Sequence, residues 1–168
     1  MIALVKSFIP RRSDIFTRIS SRTTLKAWKP FYECVGILFQ LQNSDLDDDH
    51  PEWRIYWFAG LALLRTVGHV LDKIDGTTSD QHRRIINATW ESWKRNRAEN
   101  AIFWDFVEQE RNNLLKTYEF GVEIDDEGLL HKESGRDGGQ LFREAVYWWR
   151  FQLEKLEQEL TDQTSIKR

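Results

Sequence analysis

Residues 141–160 read LFREAVYWWRFQLEKLEQEL, and their apolar side chains recur at alternating steps of four and three. The repeating positions are Phe142, Val146, Trp149, Leu153, Leu156 and Leu160. This spacing places an apolar side chain on the same face of a helix at every turn. The segment therefore predicts a long helix whose apolar face either closes a helical core or pairs with a second subunit.

The composition agrees with a helical fold. The chain has 168 residues, of which 40% are hydrophobic and 30% charged, and these fractions exclude a disordered chain. No apolar run reaches the roughly 18 residues of a membrane-spanning helix. Three prolines and nine glycines are too few for the many turns of an all-β fold. We therefore predict one all-α domain, an antiparallel bundle of about four to five helices with a glycine-rich loop before the last helix.

Capping residues and apolar spacing outline the other elements. Helices are predicted at about 30–42, 50–74, 79–97 and 100–121, the last ending at Gly121. Gly60 and Gly68 lie inside the second helix, and their cost there indicates close packing of a neighbouring helix. Residues 122–139 are compatible with a short hairpin or with an irregular loop.

Charge is distributed unevenly along the chain. Residues 1–29 hold seven Lys or Arg and one Asp, a charge of 7 − 1 = +6, so the remainder carries −3 − 6 = −9. We divide the chain into a basic arm at 1–22, a helical domain at 23–162 and a tail at 163–168. The arm can bind nucleic acid or dock on its own acidic body. Its Arg- and Ser-rich composition also suits a transit peptide, although we expect a cytoplasmic protein.

One cysteine, Cys34, excludes an internal disulfide framework and a cysteine-based zinc cluster. The histidines do not have the spacing of metal ligands. The sequence therefore predicts neither a metal site nor a cofactor.

The predicted fourth helix carries a polar motif. Arg111 and Tyr118 lie seven residues apart, a spacing that predicts two side chains on one helical face. Glu108 precedes Arg111 by three residues and Asn112 by four, close enough to orient either side chain. A guanidinium beside an amide and a hydroxyl is well suited to a phosphate or carboxylate.

Arg111, with Asn112 directly after it and Tyr118 after a gap of six residues from the Arg, resembles the motif of the HEPN superfamily of helical bundles. In that family an Arg and a polar residue precede a His, and Tyr118 stands where the His would be. The resemblance implies a homodimer in which paired subunits share a cleft, often with metal-independent ribonuclease activity. The Tyr replacement implies a member that binds RNA, a nucleotide or a partner protein, in a toxin–antitoxin or defence setting.

The predicted second helix offers a substitute for the missing His. Arg65, His69 and Asp72 are spaced by four and three residues, so they share one face. If this face meets Arg111, the two helices form a polar cleft in which His69 can exchange a proton near neutral pH. A buried polar network that only holds the helices in register is the competing interpretation.

We therefore predict a HEPN-like domain that binds RNA, a nucleotide or a protein partner. Arg111, Tyr118 and His69 are the candidate catalytic residues, and Asn112, Glu108, Arg65 and Asp72 the candidate binding residues. An active metal-independent ribonuclease and a purely structural interaction protein are the alternatives.

Overall fold

The computed structural model describes residues 23–44, Leu46, 52–126 and 128–165, with side chains up to residue 162. The predicted basic arm at 1–22 lies outside the described residues. The described elements, in chain order, are α1 Trp28–Asn43, α2 Glu52–Lys73, α3 Asp80–Arg95, α4 Gln109–Thr117, β1 Val122–Asp125, β2 Gly128–His131, β3 Arg136–Asp137 and α5 Gly138–Ser165.

The described chain is mostly helical, as predicted, and also contains a small antiparallel sheet that the all-α prediction did not include. The strand order is β1-β2-β3, and Ile124 of β1 pairs with Leu129 of β2. The turn between them is closed by Asp125, whose Oδ1 accepts from the backbone N–H of Gly128 at 2.9 Å. The hairpin alternative for this region is therefore correct and the irregular loop is wrong.

None of the described helices combines the length and apolar character that a membrane crossing requires.

The apolar face of α5 forms the centre of the core. All six repeating side chains are buried, with at most 5% of their surface exposed. They lie within the same core as the buried faces of α1 and α2, and α5 contacts both helices. The face therefore closes the core of its own chain, which removes it as a surface for a second subunit.

The two glycines of α2 allow α5 to approach closely. A Cβ at Gly60 would overlap the ring of Phe142, and a Cβ at Gly68 would lie 3.1 Å from the ring of Trp149. Real Cβ atoms essentially never lie as close to another atom as in the first contact, and they rarely lie as close as in the second. The close packing that the sequence predicts is confirmed, and the cost of glycine within a helix is offset by the buried rings.

Two carboxylates fix the chain just before α1. Asp75 accepts from the backbone N–H groups of Lys26 and Ala27 at 2.8 and 2.9 Å. Glu157 of α5 accepts from the N–H of Thr24 at 2.6 Å and from the N–H of Leu25 at 2.8 Å. These N–H groups lie at the start of a helix, where backbone donors lack intrahelical partners. The segment that leads into α1 is thus held in place by residues distant in sequence.

The connection between α3 and α4 departs from the predicted α-helix. A single 3₁₀ turn at Ala98–Asn100 is followed by a π-helical segment, Ile102–Glu108, that continues into α4. The helix ends at Thr117 because Tyr118 adopts left-handed backbone angles, with φ 57°. Its N–H donates to the carbonyl of Leu114 at 3.1 Å, which satisfies one of the free carbonyls of the last turn. The prediction that this helix ends at Gly121 is wrong by four residues.

Candidate functional site

An ion pair joins the two helical segments that carry the predicted site. Arg65 of α2 places its Nε 2.9 Å from Oε1 of Glu108, at the end of the π-helical segment. The side chains are 32% and 24% exposed, so the pair is open to solvent on one side. The structure thus brings together two candidate residues that lie 43 positions apart in sequence.

A cleft of about 700 Å³ lies beside this pair, which we call the Arg65 cleft. Four predicted site residues line it: Arg65, His69, Asp72 and Glu108. The lining also includes Lys73, Lys94, Glu91, Trp90 and Trp104. His69 is exposed and Trp90 and Trp104 are half-buried. The cleft therefore combines an accessible imidazole, three basic groups and two indole rings.

Each basic group of the Arg65 cleft faces a carboxylate. Besides the Arg65–Glu108 pair, Lys73 Nζ lies 2.8 Å from Asp72 Oδ2, and Lys94 Nζ lies 2.8 Å from Glu91 Oε1. The two lysine pairs are well exposed, and such pairs contribute about 0–1 kcal/mol. Apart from His69, the positive and negative charges of the lining therefore balance. Because the pairs are weak, their basic groups can exchange a carboxylate for an anionic ligand.

Arg111 and Asn112 stand outside this cleft. Arg111 donates from Nη1 to Oδ1 of the adjacent Asn112 at 3.0 Å, and both residues are half-buried on α4. Neither lines the Arg65 cleft. The expected cleft shared by Arg65, His69 and Arg111 is thus only partly formed within the described chain.

Tyr118 also lies outside the Arg65 cleft. Because α4 ends at Thr117, the expectation that Arg111 and Tyr118 project from one helical face is wrong. Tyr118 is 73% exposed, and its ring contacts Phe120 with centroids 5.5 Å apart. It lines a different cleft, formed near the start of α2 and the end of α4. Tyr118 therefore lies just beyond the helix that carries Arg111.

The structure reveals a buried pair that sequence reasoning missed. His131 Nε2 of β2 lies 3.3 Å from Oε1 of Glu110 on α4, and the side chains are 4% and 1% exposed. The N–H of Ser134 approaches His131 Nδ1 at 3.3 Å. Nδ1 also lies 2.7 Å from Ser134 Oγ, and which of these two atoms donates depends on the tautomer of the ring.

Gly121 lies directly against this buried carboxylate. A Cβ at Gly121 would overlap both carboxylate oxygens of Glu110, so no larger residue fits without displacing them. Burial raises the pKa of the Glu110 carboxyl, while His131 and the Gly121 N–H lower it and the charge of Glu133 raises it further. Desolvation disfavours the charged carboxylate, and the neighbours compensate only in part.

A partial signal for this pair was present in the sequence. Leu129 and His131 are two residues apart, and both are buried, as alternation along a strand requires. Glu110, by contrast, sits in the polar run EQERNN at 108–113, where nothing in the sequence distinguishes it from its half-buried neighbours.

Comparison with protein-family models, curated proteins and solved structures finds no match to this chain.

Proposed function

We propose that the Arg65 cleft binds a phosphate-bearing ligand, either a nucleotide or a short stretch of single-stranded RNA. The observation that carries the proposal is the solvent-open Arg65–Glu108 ion pair inside a cleft that also holds His69, Lys73 and Lys94. A guanidinium matches phosphate oxygens through two parallel N–H groups. The HEPN-like relationship expected from Arg111-Asn112 is part of the same proposal.

Binding in this scheme requires Arg65 to exchange its ion-pair partner. An incoming phosphate takes the guanidinium of Arg65 from Glu108, and the ammonium groups of Lys73 and Lys94 add weaker attraction. Because the carboxylates stay in the cleft, they repel the ligand and limit its affinity. We therefore expect modest binding that weakens strongly with salt.

Two indole rings support a ligand that also carries a base. Trp90 and Trp104 line the cleft, with centroids 6.5 Å apart and planes inclined at 64°. Aromatic side chains provide stacking surfaces for unpaired bases in many single-strand binding proteins. A duplex hides the faces of its bases, so the rings favour a single strand or a free nucleotide.

The test is the binding of a fluorescein-labelled single-stranded RNA, and separately of adenosine monophosphate, at low salt. Arg65→Ala should weaken binding about tenfold, whereas Arg84→Ala, an exposed arginine of α3 outside the cleft, should leave it unchanged. Equal affinities of the wild-type protein and Arg65→Ala would refute the proposal.

A second candidate function is metal-independent cleavage of RNA, which the position of His69 favours. His69 follows Arg65 by one helical turn, is exposed and lines the same cleft. An imidazole there can exchange protons with a ribose hydroxyl while Arg65 contacts the phosphate. Cleavage of total RNA in excess EDTA, lost in His69→Ala, would establish this activity. The Arg111→Ala variant, measured beside it, tests the contribution of the Arg-Asn motif.

Homodimerisation, expected from the HEPN resemblance, is also a proposal. Leu115 of α4 and Ile55 of α2 are 51% and 68% exposed and so offer apolar contacts outside the core. Sedimentation equilibrium of the purified chain distinguishes a dimer from a monomer.

A further inference from the structure

A second cleft, of about 770 Å³, lies between the start of α2, the end of α4 and the first strand. We call it the Phe120 cleft. Its lining includes four carboxylates, from Glu110, Glu119, Glu123 and Glu133, against two basic groups, Arg54 and Lys132. Two more acidic than basic groups face this space, so its electrostatic potential favours a cation when they are ionised. The Arg65 cleft has no such excess.

Aromatic rings line the same space. Trp53 and Phe120 meet edge to face with centroids 6.1 Å apart, and Tyr118 meets Phe120 in the same way at 5.5 Å. The guanidinium carbon of Arg54 lies 5.3 Å from the ring centre of Trp53 and 5.8 Å from that of Phe120. The negative faces of aromatic rings attract cations at such distances. The contact of Arg54 with Trp53 and Phe120 is an example of this attraction within the chain itself.

A buried carboxylate lies behind the rings. Glu110 lines the cleft and is 1% exposed, and its Oε2 has no hydrogen-bond partner within the described chain. The nearest compensating group, His131, sits 3.3 Å from the other oxygen and carries an opposite charge only when its ring is protonated. A carboxylate so placed keeps part of its charge uncompensated, and a low local dielectric lets that charge act across the cleft.

We propose that the Phe120 cleft binds an organic cation, a guanidinium or alkylammonium group, carried by a free amine or by a basic peptide side chain. The cation rests against the rings of Tyr118 and Phe120, with the carboxylates of Glu119 and Glu123 beside it. Glu110 contributes through its charge and not through contact, since its oxygens are shielded from solvent. This site is independent of phosphate binding in the Arg65 cleft.

The test uses two cationic probes and one uncharged analogue. Butylguanidine represents the free group, an acetylated and amidated Gly-Arg-Gly peptide represents the side chain, and butylurea keeps the shape of butylguanidine but replaces its guanidinium with a neutral urea group. Binding is followed by calorimetry and by amide chemical shifts of the full chain. We expect saturable binding of at least one cationic probe, weaker binding of butylurea, and shifts centred on residues 118–123. The stronger of the two cationic probes then identifies the source of the group.

Two exposed side chains give variants that should keep the fold. Tyr118→Ala and Glu119→Gln should each weaken binding about two- to fivefold, the range of an exposed cation–π contact or ion pair. Glu154→Gln, an exposed carboxylate of α5 that lines neither cleft, is the matched control and should bind as the wild-type protein does. Absence of binding at millimolar probe, equal binding of the urea analogue, or unchanged affinity in both variants would each overturn the proposal.

Discussion

His131 Nε2 and Glu110 Oε1 lie 3.3 Å apart between β2 and α4, and both residues are almost fully buried. The contact fastens the sheet to the helix that also carries Arg111 and Asn112. Removing one partner from a buried pair leaves the other polar group without compensation, which costs more than the pair itself contributes. The stability of this junction should therefore depend on pH and on the neighbouring backbone.

The pH dependence follows from the raised pKa of Glu110. Burial places the folded-state pKa above the ordinary 4.5, so the folded protein binds the proton more tightly than the unfolded chain. The stability from this group is fully present below pH 4.5 and is lost as pH rises through the folded-state pKa.

We expect Glu110→Gln to remove this part of the pH dependence. Glutamine keeps the shape of the side chain, but it does not titrate. Urea unfolding from pH 4 to pH 8 measures the free energy of both proteins. Parallel pH profiles for the wild type and the variant would show that Glu110 does not titrate in this way.

Replacing Gly121 with alanine should destabilise the fold by about 1–3 kcal/mol, because the new methyl group must displace the Glu110 carboxylate. Gly36→Ala is the control, since a Cβ there meets nothing within 4 Å inside α1. That change should stabilise by about 0.5–1 kcal/mol. Thermal unfolding of both variants checks the opposite signs, and a Gly121→Ala protein as stable as the wild type would contradict the close contact.

Arg65 and Glu108 should matter more for binding than for stability. Their ion pair is partly exposed, and such pairs contribute about 0–1 kcal/mol, so Arg65→Ala should unfold at nearly the wild-type urea concentration. Glu108→Gln should strengthen phosphate binding because it removes a competitor for the guanidinium. A double-mutant cycle with RNA binding as the readout tests this coupling. A large loss of stability in Arg65→Ala, with binding unchanged, would instead favour a structural network.

Asp75→Ala should cost about 1–3 kcal/mol, since it leaves two backbone N–H groups before α1 without an acceptor. Hydrogen exchange should accelerate at the amides of Lys26 and Ala27 in particular. Asp80→Ala, an exposed acidic residue of the first turn of α3, serves for comparison and should leave those two amides protected. Unchanged exchange at Lys26 and Ala27 in Asp75→Ala would count against the bond.

Local periodicity predicted the helical parts of the fold well. The steps of four and three in α5 identified its buried face, and the glycines of α2 indicated the contact with Phe142 and Trp149. Both signals depend on residues within a few turns of one helix, where spacing translates directly into direction. The row Arg65, His69 and Asp72 was predictable for the same reason, and all three residues line one cleft.

Interactions between distant segments could not be predicted. The Glu110–His131 pair depends on the sheet folding back on α4, which no spacing within either segment encodes. Tyr118 was misplaced because the left-handed turn at that residue, uncommon outside glycine, ended the helix early. The seven-residue spacing from Arg111 therefore described a helix that does not extend so far.

The π-helical segment Ile102–Glu108 also determines where a residue can be deleted without changing the orientation of the side chains on α4. Such a segment holds about one residue more than the α-helix that spans the same angle. Deleting one residue within it would restore ordinary α-helical turns and leave Glu108 aimed at Arg65. The same deletion inside α4 would rotate every later side chain by about 100°. Natural variation in length should therefore concentrate in the wide turns, while the distance from Glu108 to Arg111 stays constant.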